Sequence, residues 1–260
     1  MALNEAERWS AALSAPRVSP SRGDGVKSTM GDPPALGVVV VTGGASGLGA
    51  AVASAVAGAG GAPVVLDVRE PADGAEHELV DLADTRAAEA AVARVSARHE
   101  RLDAVVAAAG IDRPGALAEV PGPEWERVVA VNLLGVAAVV RAALPHLERS
   151  GGRVVTVAST LGFRALPDAT AYCASKFGIV GFTRALAAET AGRVGVTLLV
   201  PGGMQTSFFD SRDEQYKPSA DARLNRPDDV AEAVLFALRQ PEGCEVRELL
   251  VAPSTEGSWP

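Results

Sequence analysis

Val38-Val39-Val40-Val41-Thr42-Gly43-Gly44-Ala45-Ser46-Gly47-Leu48-Gly49 runs from four β-branched residues through a glycine-rich turn into an Ala- and Val-rich stretch. Four valines with no polar alternation predict a strand buried on both faces, as the central strand of a parallel sheet must be. Gly43 lets the backbone turn sharply, Gly47 removes a Cβ where a pyrophosphate would approach, and Gly49 lets the next helix lie close on the sheet. Free N–H groups at the positive end of that helix suit phosphate. Three glycines occur in many ordinary turns. It is the strand before, the helix after and an acid further on that point to a dinucleotide.

That acid is Asp67, which closes Pro63-Val64-Val65-Leu66-Asp67 at the carboxyl end of the second strand. There a carboxylate accepts from both adenosine ribose hydroxyls and repels a 2′-phosphate, favouring NAD over NADP. Ser46 is neutral where a turn that seeks an extra phosphate would often carry Arg or Lys. Arg69 pulls the other way, and the competing role for Asp67 is a helix or turn cap.

The chain has 260 residues, 48% of them hydrophobic, enough to bury a core as one α/β domain. A net charge of −8 argues against nucleic acid and anionic membrane surfaces as partners. No apolar run reads as long enough to span a bilayer. Cys173 and Cys244 are the only cysteines, and no Cys/His cluster indicates a disulfide framework or a metal. With no signal-peptide pattern, a cytoplasmic location is expected. Residues 1–36 are rich in Ser, Pro, Gly and charge after a short amphipathic start, and are expected to be a mobile tail before a catalytic domain at 37–260.

From Gly37 onward, short apolar runs alternate with Ala-rich helical patterns. This is the grammar of a single Rossmann-like, doubly wound parallel sheet of about seven strands with helices on both faces. Strands are predicted near 38–42, 63–67, 77–80, 103–108, 152–158, 195–200 and 247–252. Helices are predicted near 47–59, 84–100, 123–148, 171–191 and 227–239.

The chemistry lies in Tyr172-Cys173-Ala174-Ser175-Lys176, where four residues of spacing put phenol and ammonium on one helix face. A free tyrosine, with a pKa of about 10, is a poor base at neutral pH, and a nearby cation lowers that value. Such a pair is often no more than helix surface. Ser159 changes its meaning, because it ends the strand Arg153-Val154-Val155-Thr156-Val157-Ala158 at the edge where open α/β sheets bind ligands. Its hydroxyl is placed to hold a substrate oxygen beside the phenol.

Together these features resemble the short-chain dehydrogenase/reductase family over roughly residues 37–252. Thr42 to Gly49 fits TGxxxGxG, Tyr172 to Lys176 fits YxxxK, and Ser159 fits the family's serine. Asn132, in Val131-Asn132-Leu133-Leu134-Gly135, matches its helix asparagine, and Pro201-Gly202-Gly203-Met204-Gln205-Thr206 its PG loop. Asp81, before Leu82, matches a residue that contacts adenine. One departure is Ala107-Ala108-Ala109-Gly110 where the family commonly reads NNAG, so two asparagine side chains are missing.

The resemblance implies hydride transfer between nicotinamide and a secondary alcohol or ketone. Tyr172 would carry the proton, Lys176 tune it, Ser159 orient the oxygen, and Asn132 hold a backbone and water position linking Lys176 to solvent. The implied NAD contacts are Gly43, Ser46, Gly47, Leu48, Gly49, Asp67, Asp81, Leu82, Ala109, Gly110, Tyr172, Lys176, Pro201, Gly202, Met204 and Thr206. Residues 207–217 are expected to cover the pocket, with Asp112, Arg113, Arg164 and Asp168 on its rim, suiting a polar hydroxylated or carboxylated small molecule. The rivals are an NADP-dependent ketoreductase of acyl or polyketide-like substrates and a non-catalytic dinucleotide sensor. The resemblance also implies a homo-oligomer, dimer or tetramer, through the helices near 123–148 and 171–191. Trp259 is expected either to reach a neighbouring copy or to be a loose end.

Overall fold

A computed structural model describes residues 36–259. The expected tail lies outside the described residues apart from Leu36. Seven parallel strands, β1 (Val38–Thr42), β2 (Ala62–Asp67), β3 (His77–Leu79), β4 (Ala104–Ala107), β5 (Arg153–Val157), β6 (Gly195–Pro201) and β7 (Glu248–Val251), form one sheet ordered β3-β2-β1-β4-β5-β6-β7. The chain winds outward from β1 to β3, returns to β4 beside β1, and winds outward again to β7. This reversal opens a crevice at the carboxyl ends of β1 and β4.

The valine run of β1 shows why both faces are covered. All five of its residues are buried, and successive side chains point to opposite faces. Val40 joins Val64, Val105 and Val154 in a core completed by α2 (Thr85–His99), α4 (Val136–Ser150) and α5 (Thr170–Glu189), through Val92, Val139 and Ile179. Val39 and Val41 join Val106, Val155 and Leu199 beneath α1 (Gly47–Gly58) and α6 (Pro227–Leu238), through Val52, Val56, Val234 and Leu235.

Two expectations change. The helix predicted near 123–148 is α3 (Gly122–Val129), a π-helical turn at Ala130–Gly135, and then α4. Such turns are rare and often sit at functional sites. In addition, Gly122–Ser150 has a mean hydropathy of 2.0 over its best window, long and apolar enough by length and composition to cross a membrane. This corrects the expectation that no apolar run is long enough to span a bilayer. Half of that window is buried within the fold, as expected for a core helix packed on a sheet.

Candidate active site

A cleft of about 1040 Å³ lies over the carboxyl ends of the strands, lined by the glycine turn, Asp67, Asp81, Ser159, Tyr172, Lys176 and residues of the 201–217 segment. The turn is built on two left-handed glycines. Gly43 (φ +71°) lies so close to the next loop that a Cβ would come within 2.7 Å of Ala109 Cα. Gly47 (φ +54°) faces the cleft, where a Cβ would sit 3.4 Å from Thr206 Cγ2. It keeps open the gap between turn and PG loop. Gly49 has a different task from the one expected: its Cβ would fall 2.2 Å from Gly43 O, so it lets α1 close on the turn itself. Ser46 and Leu48 line the cleft beside it.

Asp67 does two jobs at once. Its Oδ2 accepts the Ala45 N–H at 3.0 Å and its Oδ1 the Arg69 N–H at 3.1 Å, so it ties down the turn, while it also lines the cleft. Each oxygen retains a second acceptor position. The Arg69 side chain reaches back to donate to Ser46 Oγ at 2.9 Å. Asp81 pairs with Arg127 at 2.9 Å. Although desolvation pushes its carboxyl the other way, the Ala83 N–H and Arg127 hold it below the usual range. Leu82, Ala109 and Gly110 complete this half of the cleft. The buried Thr42 hydroxyl accepts the Ala109 N–H at 3.0 Å and fixes the loop after β4.

The second half carries Ser159, Tyr172 and Lys176. Ser159 Oγ accepts the Leu161 N–H at 3.1 Å, capping the turn Thr160–Gly162. It lines the cleft together with the Tyr172 phenol. Lys176, only 4% exposed, places Nζ 5.5 Å from the Tyr172 ring centre and donates to Val157 O at 2.8 Å. The expected lowering of the phenol does not appear. Desolvation pushes Tyr172 up to about 12, against the opposing hydrogen bond from Ser159. It also pushes Lys176 down to about 8. Burial outweighs charge here, and among the charges that act on the phenol Asp112 raises it and Arg212 lowers it.

Asn132 lies in the π turn with no exposed surface. Its Oδ1 accepts the Ile111 N–H at 2.8 Å, and its Nδ2 donates to Ile111 O at 2.8 Å and to Ser175 Oγ at 3.1 Å. It clamps the loop after β4 to α5 next to Lys176. The wider turn carries this side chain into the gap between those elements.

On the far side, Gly202 N–H donates to Val251 O and Gly203 N–H to Glu256 Oε2, while Met204 bridges to Asn225. Thr206 caps the turn Ser207–Phe209. The 207–217 segment does line the cleft: the Phe208 ring lies 5.7 Å from that of Tyr172. The rim charges are mostly engaged within the fold. Asp112 forms a buried pair with Arg212, Asp168 (φ +57°) accepts from the Tyr216 hydroxyl at 3.3 Å, and Arg164 donates to Gly257 O. Arg113 alone pairs at the surface, with Glu124.

Sequence reasoning missed Arg212 as half of a buried pair, and it missed Glu256 and Ser258 as cleft residues. Ser258 Oγ lies 2.6 Å from both Thr160 Oγ1 and Glu256 Oε1. Trp259 packs edge-on against Phe163 of its own chain, with ring centres 5.4 Å apart.

The family model for short chain dehydrogenases matches residues 37–217. Over 226 residues the chain is 36% identical to cis-4-hydroxycyclohexanecarboxylate dehydrogenase of Sinomonas cyclohexanicum, covering 80% of this chain and 91% of that one. It is 33% identical over 84% of its length to glycine betaine reductase ATRR of Emericella nidulans, but spans only 19% of that protein. Among solved structures, a 3-ketoacyl-(acyl-carrier-protein) reductase from Brucella melitensis complexed with NADH superposes with a TM-score of 0.75 at 29% identity, covering 84% of this chain and 98% of that one. An alcohol dehydrogenase from Thermococcus sibiricus complexed with 5-hydroxy-NADP superposes with a TM-score of 0.74 at 29% identity, covering 82% and 95%. With the TGxxxGxG turn and the serine, tyrosine and lysine gathered in one cleft, the chain belongs to the short-chain dehydrogenase/reductase family and is an oxidoreductase acting on CH–OH groups.

Proposed function

We propose that the chain binds NAD(H) in preference to NADP(H) and interconverts a polar secondary alcohol and its ketone, with Tyr172 carrying the proton. The observation that carries this reading is the convergence of Ser159, Tyr172 and Lys176 on the cleft that the glycine turn also lines. The residues present fit a dinucleotide: Gly47 leaves the gap open, α1 directs its first N–H groups toward it, and Asp67 retains acceptor positions for ribose hydroxyls. When bound, the nicotinamide supplies the hydride acceptor or donor.

Tyr172, held protonated at neutral pH by its raised pKa, gives its proton to the oxygen of a carbonyl being reduced. Ser159 donates to the same oxygen and stabilises charge as it develops. Lys176, with its pKa near 8, loses and regains a proton in the working range and resupplies the phenol. Asn132 acts through others by fixing Ile111 and Ser175. Oxidation runs the same steps backward and needs the phenolate, so it accelerates as pH rises.

NADP(H) is supported by one observation, the Arg69 guanidinium resting on Ser46 where a 2′-phosphate would approach. Association of copies is supported by exposed Leu134 and Phe177 on the helices expected to pair. Fluorescence titration with NADH and NADPH, followed by a panel of alcohols and ketones read at the NADH absorbance, tests the reading. Tighter NADPH binding, or reaction of lipophilic ketones alone, overturns it.

A further inference from the structure

The segment over the cleft holds a charged pair that proton transfer does not require. Arg212 Nη2 lies 2.7 Å from Asp112 Oδ2, with the two side chains only 15% and 6% exposed. The guanidinium lies against an edge-to-face pair of rings, 4.9 Å from the centre of Phe208 and 4.6 Å from that of Phe209, and its Nη1 donates to Tyr216 O at 3.3 Å. These contacts fix its plane. Its Nε is buried and has no hydrogen-bond partner among the described residues. An unmet donor on a charged group is an expensive feature for a fold to keep. Asp112 uses one acceptor position on each oxygen, for the Arg113 N–H and for Arg212, and retains the others. Both residues line the same cleft as Tyr172, and both charges act on its phenol.

Taken as a unit the pair is neutral, with a free donor next to a free acceptor. A hydroxyl group matches this arrangement, because it accepts through its oxygen and donates through its hydrogen. A carboxylate gains Arg212 but faces the charge of Asp112. One substrate hydroxyl is consumed at Tyr172, so the group recognised here is a second one. We propose that Arg212 and Asp112 form a hydroxyl-recognition subsite that selects neutral diols and polyols, and the matching hydroxyketones, over hydroxy acids. This rests on the secondary-alcohol reading above and names the substrate class for it. Arg212 is the specificity-determining contact, and Asp112 both positions it and supplies the acceptor.

Three four-carbon probes share the same reacting CH₃–CH(OH) end: butane-2,3-diol, butan-2-ol and 3-hydroxybutyrate. In the full-length enzyme the diol is expected to have the highest kcat/KM. Arg212→Lys keeps a cation but loses Nε, and is expected to lower kcat/KM for the diol about 10- to 100-fold more than for butan-2-ol, mainly through KM. Asp112→Asn keeps the shape and frees the cation, and is expected to move the preference toward 3-hydroxybutyrate, a shift that a merely structural role would not give. Equal losses on all three probes, or a wild-type preference for the hydroxy acid, would overturn the subsite. Turnover of butan-2-ol with no advantage for the diol sinks the subsite and leaves the parent reading standing. Failure of all three probes with either cofactor sinks both.

Discussion

Replacing Lys176 with methionine should change how stability depends on pH, and the size of the change follows from burial. Lys176 is 4% exposed, and desolvation brings its pKa from 10.5 to about 8 in the fold. Below pH 8 the ammonium is charged in both folded and unfolded chains, and the fold bears the full cost of burying it. Between 8 and 10.5 the folded chain has lost the proton while the unfolded chain still holds it. Since stability rises with pH wherever the unfolded state binds more protons, the wild type gains over this window, and the gain is lost again as pH falls through 8. From pH 7 to pH 9.5 the linkage amounts to about 2 kcal/mol. Lys176→Met lacks the titration, and its lost bond to Val157 O is a constant offset. Tyr172, pushed up to about 12, lowers stability only above pH 10 and does so in both proteins. Urea unfolding of both proteins at pH 7 and 9.5 gives the difference directly. A wild-type-minus-variant stability that stays flat across this range would refute the claim that the lysine is buried at a depressed pKa.

Asn132→Leu removes three hydrogen bonds and strands both backbone groups of Ile111, so urea unfolding should show a loss of about 2–4 kcal/mol, with turnover falling further than NADH affinity. A variant as stable as wild type would remove the clamp. Gly49→Ala places a Cβ 2.2 Å from Gly43 O, and the forced shift of the turn should cost about 1–3 kcal/mol in denaturant unfolding and weaken NADH binding. Asp67→Ser removes the carboxylate that accepts the Ala45 N–H and that is proposed to face the cofactor ribose, leaving Arg69 in place. The ratio of NADPH to NADH affinity should rise about tenfold or more, a difference of about 1.4 kcal/mol, and an unchanged ratio in fluorescence titration would clear Asp67 of any role in cofactor choice.

Much of this could be read in the chain because its signals are local. Four valines before a glycine turn can only be a strand covered on both sides, and β1 is buried at every position. Tyr172 and Lys176 lie one helical turn apart, so their shared face follows from spacing. What escaped depends on residues brought together from far along the chain. Asp112 and Arg212 are 100 residues apart, and each alone looks like a solvated loop charge. Glu256 meets Gly203 from a short polar segment with no periodicity to announce it. The π turn was hidden because Ala130-Val131-Asn132-Leu133-Leu134-Gly135 carries the same apolar pattern as the helix on either side, and the bonds from Asn132 to Ile111 join segments 21 residues apart. Asp67 belongs to both groups. Its place at a strand end and a turn-capping role were both legible, whereas the identity of the turn it holds, 22 residues away, showed only in three dimensions. The Tyr172 phenol was misjudged because a sequence shows which charges are near but not how dry their surroundings are.

The central claim is that the Tyr172 hydroxyl carries the proton. Tyr172→Phe keeps the ring against Phe208 and removes only that hydroxyl. Steady-state turnover of a secondary alcohol should fall about 10²- to 10⁴-fold, while NADH titration by fluorescence gives an affinity within about threefold of wild type, too little to matter on a scale where tenfold is 1.4 kcal/mol. Turnover that survives the substitution while NADH stays bound would contradict the account.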